Sequence, residues 1–364
     1  CPYYVPSLRS DEMNTFNPKK NFSLKECDAK GFLCYKDGEL VGRIAGIINR
    51  TDNELTGKKY IRFSRLECID EPEVFKALLG AVEDFGKEHG MEIIHGPWGF
   101  NDTDREGMLT YGFDRVATYV TNYSYPYFCE RMKELGFDDE SKWLEKEFAI
   151  PDKPYERMIE VAKKVEEKIE VKDVALTMPL KDIVKQYGAK LFDTYNKAYA
   201  PLDGFVPVDE LTEKNVLKTF ATVLNKRYIS ILVDKNDEVA AFGVVIPSLV
   251  KPLAKHRGKL FPTGFIGILS SIKKPEALEM ALIGVRPEYK NTGINAVVIA
   301  HIMNHVIEDG IKRIESNPML ETNYSIQQQW KFADCEVVKK RQTYQKPIGS
   351  LLEYSENIEE RKDA

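Results

Sequence analysis

Apolar and polar positions along this chain fall into the same order twice. In residues 31–50 two β-rich runs flank the polar turn Lys36-Asp37-Gly38-Glu39. Asp-Gly between such runs predicts a hairpin. In residues 228–248 two more β-rich runs flank the polar stretch 234–237. The second run of each hairpin contains glycine, Gly42 and Gly46 in one copy and Gly243 in the other. Each hairpin is followed by a strand-like run, 60–69 and 277–285, and then by a helical pattern, 72–89 and about 292–309. Gly90 and Gly310 close those helices at the position where a left-handed residue is favoured. Further strands follow at 91–95 and 311–315. In the second helix Ile294, Val298, Ile302 and Val306 recur every four residues and mark a buried stripe.

Each half therefore reads hairpin, strand, helix, strand. A helix linking two strands joins them most simply in parallel, which predicts an α/β fold with a mixed sheet in each half. Residues 151–172, rich in Lys and Glu with Val and Ile at helical spacing, read as a charged surface helix between domains at 1–150 and 173–350. The second half carries two more helices, 180–200 and 209–224, before its hairpin. It also carries a long insertion, 247–274, containing Lys251, Lys255, His256, Arg257 and Lys259. Loops of that length are often functional, and two readings stay open: a lid over a ligand, or a plain surface insertion.

Composition narrows the class. The 364 residues are 43% hydrophobic and 30% charged, as in an ordinary globular protein, and the net charge is −5. Basic and acidic residues are interleaved, so the whole-chain charge gives no footprint for nucleic acid or an anionic membrane. Apolar runs fall short of the roughly 20 residues of a membrane span. Six cysteines, irregularly spaced and without a C-x-x-C pair, read as reduced thiols in a cytoplasmic protein. The chain opens on Cys1, and only thirty residues precede the first hairpin, which is read as loss of upstream residues. The acidic stretch 353–364 reads as a solvated end.

The most informative stretch is Val285-Arg286-Pro287-Glu288-Tyr289-Lys290-Asn291-Thr292-Gly293-Ile294-Asn295. A strand stops at a Pro, passes a polar turn and feeds a helix start. The first N–H groups of a helix have no helical partner and the dipole adds positive charge, so such a turn suits an anion. Gly293 lets a phosphate approach the backbone, and Arg286 and Lys290 add charge. The equivalent turn of the first half reads Asp70-Glu71-Pro72-Glu73. Asp70 fits a helix cap and Glu73 a capping box, and three carboxylates stand where a phosphate would go. One sheet is expected to keep the ligand and the other to serve structure.

These residues resemble the GNAT family of acyltransferases. The family signature is a strand ending near V-x-P-x-Y, then Arg/Gln-x-x-Gly-x-Gly/Ala opening a helix. Lys290 takes the Arg/Gln position, Gly293 the first Gly, and Asn295, bulkier than usual, the Gly/Ala. An Asn-led helix from Glu321-Thr322-Asn323 through Phe332 and a last strand over 336–346 match the family's ending. The chain looks like two GNAT-like domains in tandem, as in a bacterial group of paired domains.

The resemblance implies acetyl-CoA or another acyl-CoA as co-substrate, held at Val285, Arg286, Lys290, Asn291, Thr292, Gly293, Ile294 and Asn295, with Asn323 beside it. The backbone N–H of Val285 would polarise the thioester carbonyl, and an amine on a small, amino-acid-like acceptor would attack it. Many relatives place a Tyr seven residues after the Asn to protonate the departing thiolate. Here that residue is Trp330, and an indole N–H is no practical acid.

Glu279 and Glu315 are the candidate general bases. Asn317 and Asn323 are candidates for a pantetheine amide, or simple caps. His301 and His305 share one helical face, but a third ligand is not evident and no metal is expected. The aromatic residues Tyr119, Tyr123, Tyr125, Tyr127 and Phe128, with Pro97-Trp98-Gly99-Phe100-Asn101-Asp102, read as packing or as one wall of a cleft between domains. Arg105, Glu106 and Tyr111 are possible polar contacts there. Neither nucleic acid nor membrane is expected as partner, and the oligomeric state is not readable. Two other functions stay open: an aminoacyl-tRNA-dependent transferase of the peptidoglycan-bridge type, and a non-catalytic protein that binds a CoA-type ligand.

Overall fold

The computed structural model describes residues 1–350 apart from 102–103, 155, 202–204, 206, 209, 221–222 and 332. Asp102, Phe332 and the 353–364 tail lie outside the described residues. The first half begins with a short helix α1 (Arg9–Asn14) and the hairpin β1 (Cys27–Lys36) and β2 (Glu39–Asn49). Asp37 and Gly38 at its tip both have positive φ, 51° and 83°, as a two-residue hairpin turn requires. There follow α2 (Arg50–Thr56), β3 (Tyr60–Cys68), α3 (Pro72–Glu88), β4 (Ile93–Gly96), β5 (Met108–Tyr111), α4 (Pro126–Glu134) and β6 (Asp138–Ala149). The linking helix is α5 (Glu156–Ile169).

The second half runs β7 (Lys172–Asp173), α6 (Leu180–Tyr199), α7 (Glu210–Phe220), and the hairpin β8 (Ile229–Val233) and β9 (Val239–Pro247). The insertion forms α8 (Val250–His256) and α9 (Gly264–Lys273). Then come β10 (Leu278–Val285), α10 (Ile294–Glu308), β11 (Arg313–Glu315), β12 (Met319–Leu320), α11 (Tyr324–Gln329) and β13 (Cys335–Pro347). The fold is α/β, and the repeated order seen in the sequence is present in both halves. The strand pairs joined by α3 and α10 are parallel, β3 with β4 and β10 with β11.

The glycines of the second hairpin runs mark where a helix lies close on the sheet. A Cβ at Gly243 would stand 2.4 Å from Val298 of α10, and one at Gly42 would stand 2.8 Å from Leu78 of α3. Val297, Val298 and Val306 of α10 are fully buried against β8, β9 and β10. At about 1.5–3 kcal/mol for each buried aliphatic side chain, this stripe is a main source of the second half's stability. The linking helix is more than a charged surface helix. Its Ala162 is buried, and Met158, Val165 and Ile169 pack into the same core as α10.

All strands belong to one sheet of thirteen, ordered β1-β2-β3-β4-β13-β6-β11-β10-β9-β8-β7, with β12 on β6 and β5 on β13. The last strand of each half in sequence lies beside the other half's sheet. β13 pairs with β4, β6 pairs with β11, and β6 and β13 pair with each other along their length. The helix starts also differ from expectation. Asp70 does not cap α3: the N-cap residue is Glu71, without a side-chain cap bond. Asp70 instead pairs with Arg131 and Glu71 with Lys36, because cations from neighbouring elements compete for these carboxylates. Carboxylates nonetheless stand at that turn.

Candidate functional site

The two ends of β10 hold the two groups of candidate residues. At its C-terminal end Arg286 donates its N–H to Ala240 of β9 at 2.9 Å. The alternation of a strand then turns the N–H of Val285 toward β11. Pro287 to Tyr289 form one 3-10 turn, and Asn291 (φ 63°) and Gly293 (φ 86°) take left-handed conformations. Gly293 is the N-cap of α10 and offers no side chain to cap it, while Thr292 Oγ1 accepts from the Ile294 N–H at 3.4 Å. The N–H groups of Gly293 and Asn295 make no hydrogen bond among the described residues. Lys290, Asn291 and Thr292 are exposed, while Ile294 is buried in the core. Val165 of α5 borders the turn, 3.3 Å from where a Gly293 Cβ would stand. These features suit an anion, held by backbone N–H groups and the dipole of a fifteen-residue helix.

Arg286 is placed differently from the sequence reading. Its guanidinium is buried and pairs with Asp193 and Glu238, so it ties α6 and the second hairpin to β10 and is not directed to a ligand. Tyr289 is fixed likewise, its hydroxyl donating to Asp234 at 2.8 Å. Asn323 caps α11 by accepting from the Ile326 N–H at 3.3 Å. Trp330 lies in the core against Phe148, with ring centroids 4.9 Å apart. Its indole N–H is buried without a partner among the described residues. His301 turns to Asp173 and Glu166, and His305 turns to Glu308, so the two rings face separate carboxylates.

The parallel ladder between β10 and β11 holds only at Leu278–Ile314 and Glu279–Glu315. Beyond Glu279 the strands separate. Two side chains take the carbonyls of β10 along this seam: Asn317 Nδ2 donates to Ala281 O at 2.8 Å, and the Tyr199 hydroxyl donates to Ile283 O at 3.1 Å. Asn317 Oδ1 is buried without a partner among the described residues. Sequence reading offered no signal for Tyr199, because α6 meets β10 only in the folded chain.

At the N-terminal end of β10, Glu279 and Glu315 stand side by side in a cavity of about 620 Å³. The cavity lies between the halves, with Ala117 and Thr118 of the first half opposite Ser248, Ser270 and Ser271 of the second. Beside it is a buried charge cluster contributed by both exchanged strands. Lys339 of β13 pairs with Glu315 and with Glu145 of β6, and Arg341 of β13 pairs with Glu145. Lys339 also donates to Val116 O at 3.0 Å, and Arg341 to Asn122 O at 2.5 Å. Glu145, Lys339 and Arg341 have side chains no more than 1% exposed. Two cations and two carboxylates balance, and neither cation makes an ion pair with Glu279.

Glu279 is only 2% exposed, and its Oε2 accepts from the Tyr119 N–H at 2.9 Å. Burial pushes its carboxyl up to about 7, and the neighbouring Glu315 adds to the rise; Ser248 and the Tyr119 N–H oppose it only in part. Burial also raises Glu315, against Lys339. A carboxylate half-ionised near neutral pH suits general base work. The aromatic segment divides between two roles. Tyr127 and Phe128 pack on Phe75 of α3. Tyr119 meets Glu279 through its backbone N–H, and its carbonyl accepts from Arg105 at 2.6 Å. Tyr111 is exposed on β5.

No protein-family model matches the chain. In sequence it is similar to Protein YghO of Escherichia coli (strain K12), 26% identical over 372 aligned residues that cover 95% of this chain and 89% of that protein. It is also similar to the bacterial ceramide synthase of Caulobacter vibrioides (strain NA1000 / CB15N), 23% identical over 329 residues, covering 88% of this chain and 84% of that one. In structure it matches a tandem GNAT protein from the clavulanic acid biosynthesis pathway with a TM-score of 0.52 at 10% identity, covering 95% of this chain and 98% of the other. With two hairpin–strand–helix–strand halves on one sheet, the chain has the tandem GNAT fold.

Proposed function

We propose that this protein transfers an acyl group from an acyl-CoA to an amine at the Glu279 cavity. The observation that carries the reading is Glu279 itself: a buried carboxyl held near neutrality, in a cavity at one end of the strand whose other end is the Gly293 turn. The residues present fit the co-substrate. Free N–H groups at Gly293 and Asn295 suit its pyrophosphate, and the unpaired Asn317 Oδ1 suits an amide N–H of its arm. The group supplies an activated thioester carbonyl.

The reacting end is better placed at Ile283 than at Val285. Six residues of strand separate Val285 from Glu279, about 20 Å at the usual rise, too far for one reacting centre. Ile283 is two residues nearer, its N–H faces the seam by the same alternation, and the Tyr199 hydroxyl stands at its carbonyl. In this arrangement the Ile283 N–H stabilises the carbonyl oxygen as it gains charge. Glu279 takes the proton from the attacking amine through bridging water, since four residues of strand, about 13 Å, separate it from Ile283. Tyr199 gives a proton to the departing thiolate, the task that Trp330 cannot perform from the core. The relative named a ceramide synthase supports an amine acceptor, since a ceramide is an N-acylated long-chain amino alcohol.

A thiol-release assay with acyl-CoAs over a panel of amines, long-chain amino alcohols included, is expected to show turnover. Binding of an acyl-CoA without release for any amine would sink the enzymatic reading. The turn is tested by calorimetry. Gly293→Asp puts a carboxylate where the pyrophosphate is proposed, and is expected to abolish acyl-CoA binding. Gly293→Ala, which carries the left-handed strain of about 1–2 kcal/mol and a tight 3.3 Å contact with Val165 but no charge, is expected to bind more weakly but measurably. Equal affinity of wild type and Gly293→Asp would remove the turn from the site.

A further inference from the structure

The helix pair α8–α9 is not used by the transfer steps above. Between Leu249 and Pro275 the chain carries Lys251, Lys255, Arg257, Lys259, Lys273 and Lys274 and no acidic residue, in a chain of net charge −5. Of these cations only Lys251 makes an ion pair among the described residues, with Glu276. The pair is anchored on one side. Leu249 and Leu253 are buried with Val5 and Ala117, Ile268 and Ile272 pack against them, and Gly258 O accepts from the Arg9 N–H at 2.9 Å.

The flank beside that anchor is bare and apolar. Phe261 is 76% exposed, Ile266 56%, Leu269 50% and Phe265 39%. Phe265, Ile266 and Leu269 sit at i, i+1 and i+4, on one side of α9. The Phe261 ring extends the row, 5.8 Å from that of Phe265. Exposed aromatic and aliphatic side chains gathered at one tip mark an interaction site, not scattered surface. Uncompensated cations beside them complement an anionic partner. This is the composition of a helix that lies in the interface of a bilayer. Averaging charge over the whole chain conceals it.

We propose that α8–α9 docks the protein on an anionic lipid surface. Phe261, Phe265, Ile266 and Leu269 enter the boundary between headgroups and acyl chains, and Lys255, Arg257 and Lys259 meet the headgroups. Ser270, Ser271 and Lys274 at the end of α9 line the Glu279 cavity, so docking brings that cavity to the membrane surface, where an amine carried by a lipid meets it. Docking itself needs no acyl transfer; only delivery of a lipid amine rests on the function proposed above.

The test floats the protein with vesicles of phosphatidylcholine alone, or with phosphatidylglycerol added, at low and high salt. Binding is expected to the anionic vesicles and to fall at high salt. Lys255→Ser with Arg257→Ser removes two cations, each contributing about 1 kcal/mol near such a surface, so partition is expected to weaken about thirty-fold. Phe261→Ser with Leu269→Ser is expected to lose vesicle binding while thiol release with a water-soluble amine is unchanged. Absence of binding, equal binding to neutral vesicles, or equal binding by both double variants would overturn the proposal. So would a dimer of the wild type that Phe261→Ser with Leu269→Ser dissolves, since the face would then belong to a second copy. Vesicle binding without turnover on any amine would keep the docking and sink the transfer reading.

Discussion

Glu279→Gln is expected to lower turnover by about 10²–10⁴-fold, the usual contribution of a general base, and to make the protein more stable at pH 8. Both effects have one cause. The folded protein holds the Glu279 proton up to about pH 7, whereas the unfolded chain releases it in the ordinary carboxyl range. Between those values the native state binds more protons than the unfolded state, so this group's contribution to stability falls as pH rises. The penalty is complete above pH 7 and amounts to at most ~3 kcal/mol. Gln cannot ionise and escapes it.

Activity has the opposite pH dependence. The base must be ionised, so wild-type kcat/KM is expected to fall below about pH 7, and that limb is expected to vanish in the residual activity of Glu279→Gln. A variant with wild-type turnover, or with an unchanged acid limb, would show that another group is the base. Denaturation at pH 5 and pH 8 reads the stability half independently: the gain over wild type should be large only at the higher pH.

Lys339→Met is expected to cost about 3–5 kcal/mol of stability, the usual result of removing one partner from a buried ion pair. The lost ammonium leaves Glu315 without its cation and leaves Glu145 with Arg341 alone. Because β13 carries Lys339 into the seam between the halves, the loss should appear in urea denaturation of the whole chain. The exposed pair of Lys251 with Glu276 provides the control, and Lys251→Met is expected to change nothing measurable, as for most surface pairs. A loss below about 1 kcal/mol for Lys339→Met would mean that water reaches the cluster and solvates the stranded carboxylates.

Much of this protein was legible along the chain because it is local. Hairpins at Asp37-Gly38 and around residues 234–237 follow from turn chemistry, and α3 and α10 follow from apolar spacing and the glycines after them. The Gly293 turn was legible for the same reason: a strand, a break and a helix start at glycine are consecutive in sequence. Glu279 and Glu315 were visible as strand carboxylates, but not as neighbours, since their meeting depends on β10 and β11 being parallel and in register. Lys339, Arg341 and Glu145 gave no signal, because charged residues on a strand ordinarily face water. Here both strands are central, and Glu145 meets Arg341 from 196 positions away. The exchange of β6 and β13 had no local signature either.

The sequence by itself determined the repeated α/β order, the helix and strand identities and the glycine turn at the start of α10, because these depend on the period of apolar residues and on a few special backbone positions. The tertiary structure alone decided which strands are neighbours. That choice turned ordinary strand charges into a buried cluster, left Glu279 as the carboxylate without a cation, and placed Tyr199 at the seam. The physical reason is burial: a carboxyl in water has its ordinary acidity wherever it sits in a sequence, and only removal from water among particular neighbours raises it toward neutral pH.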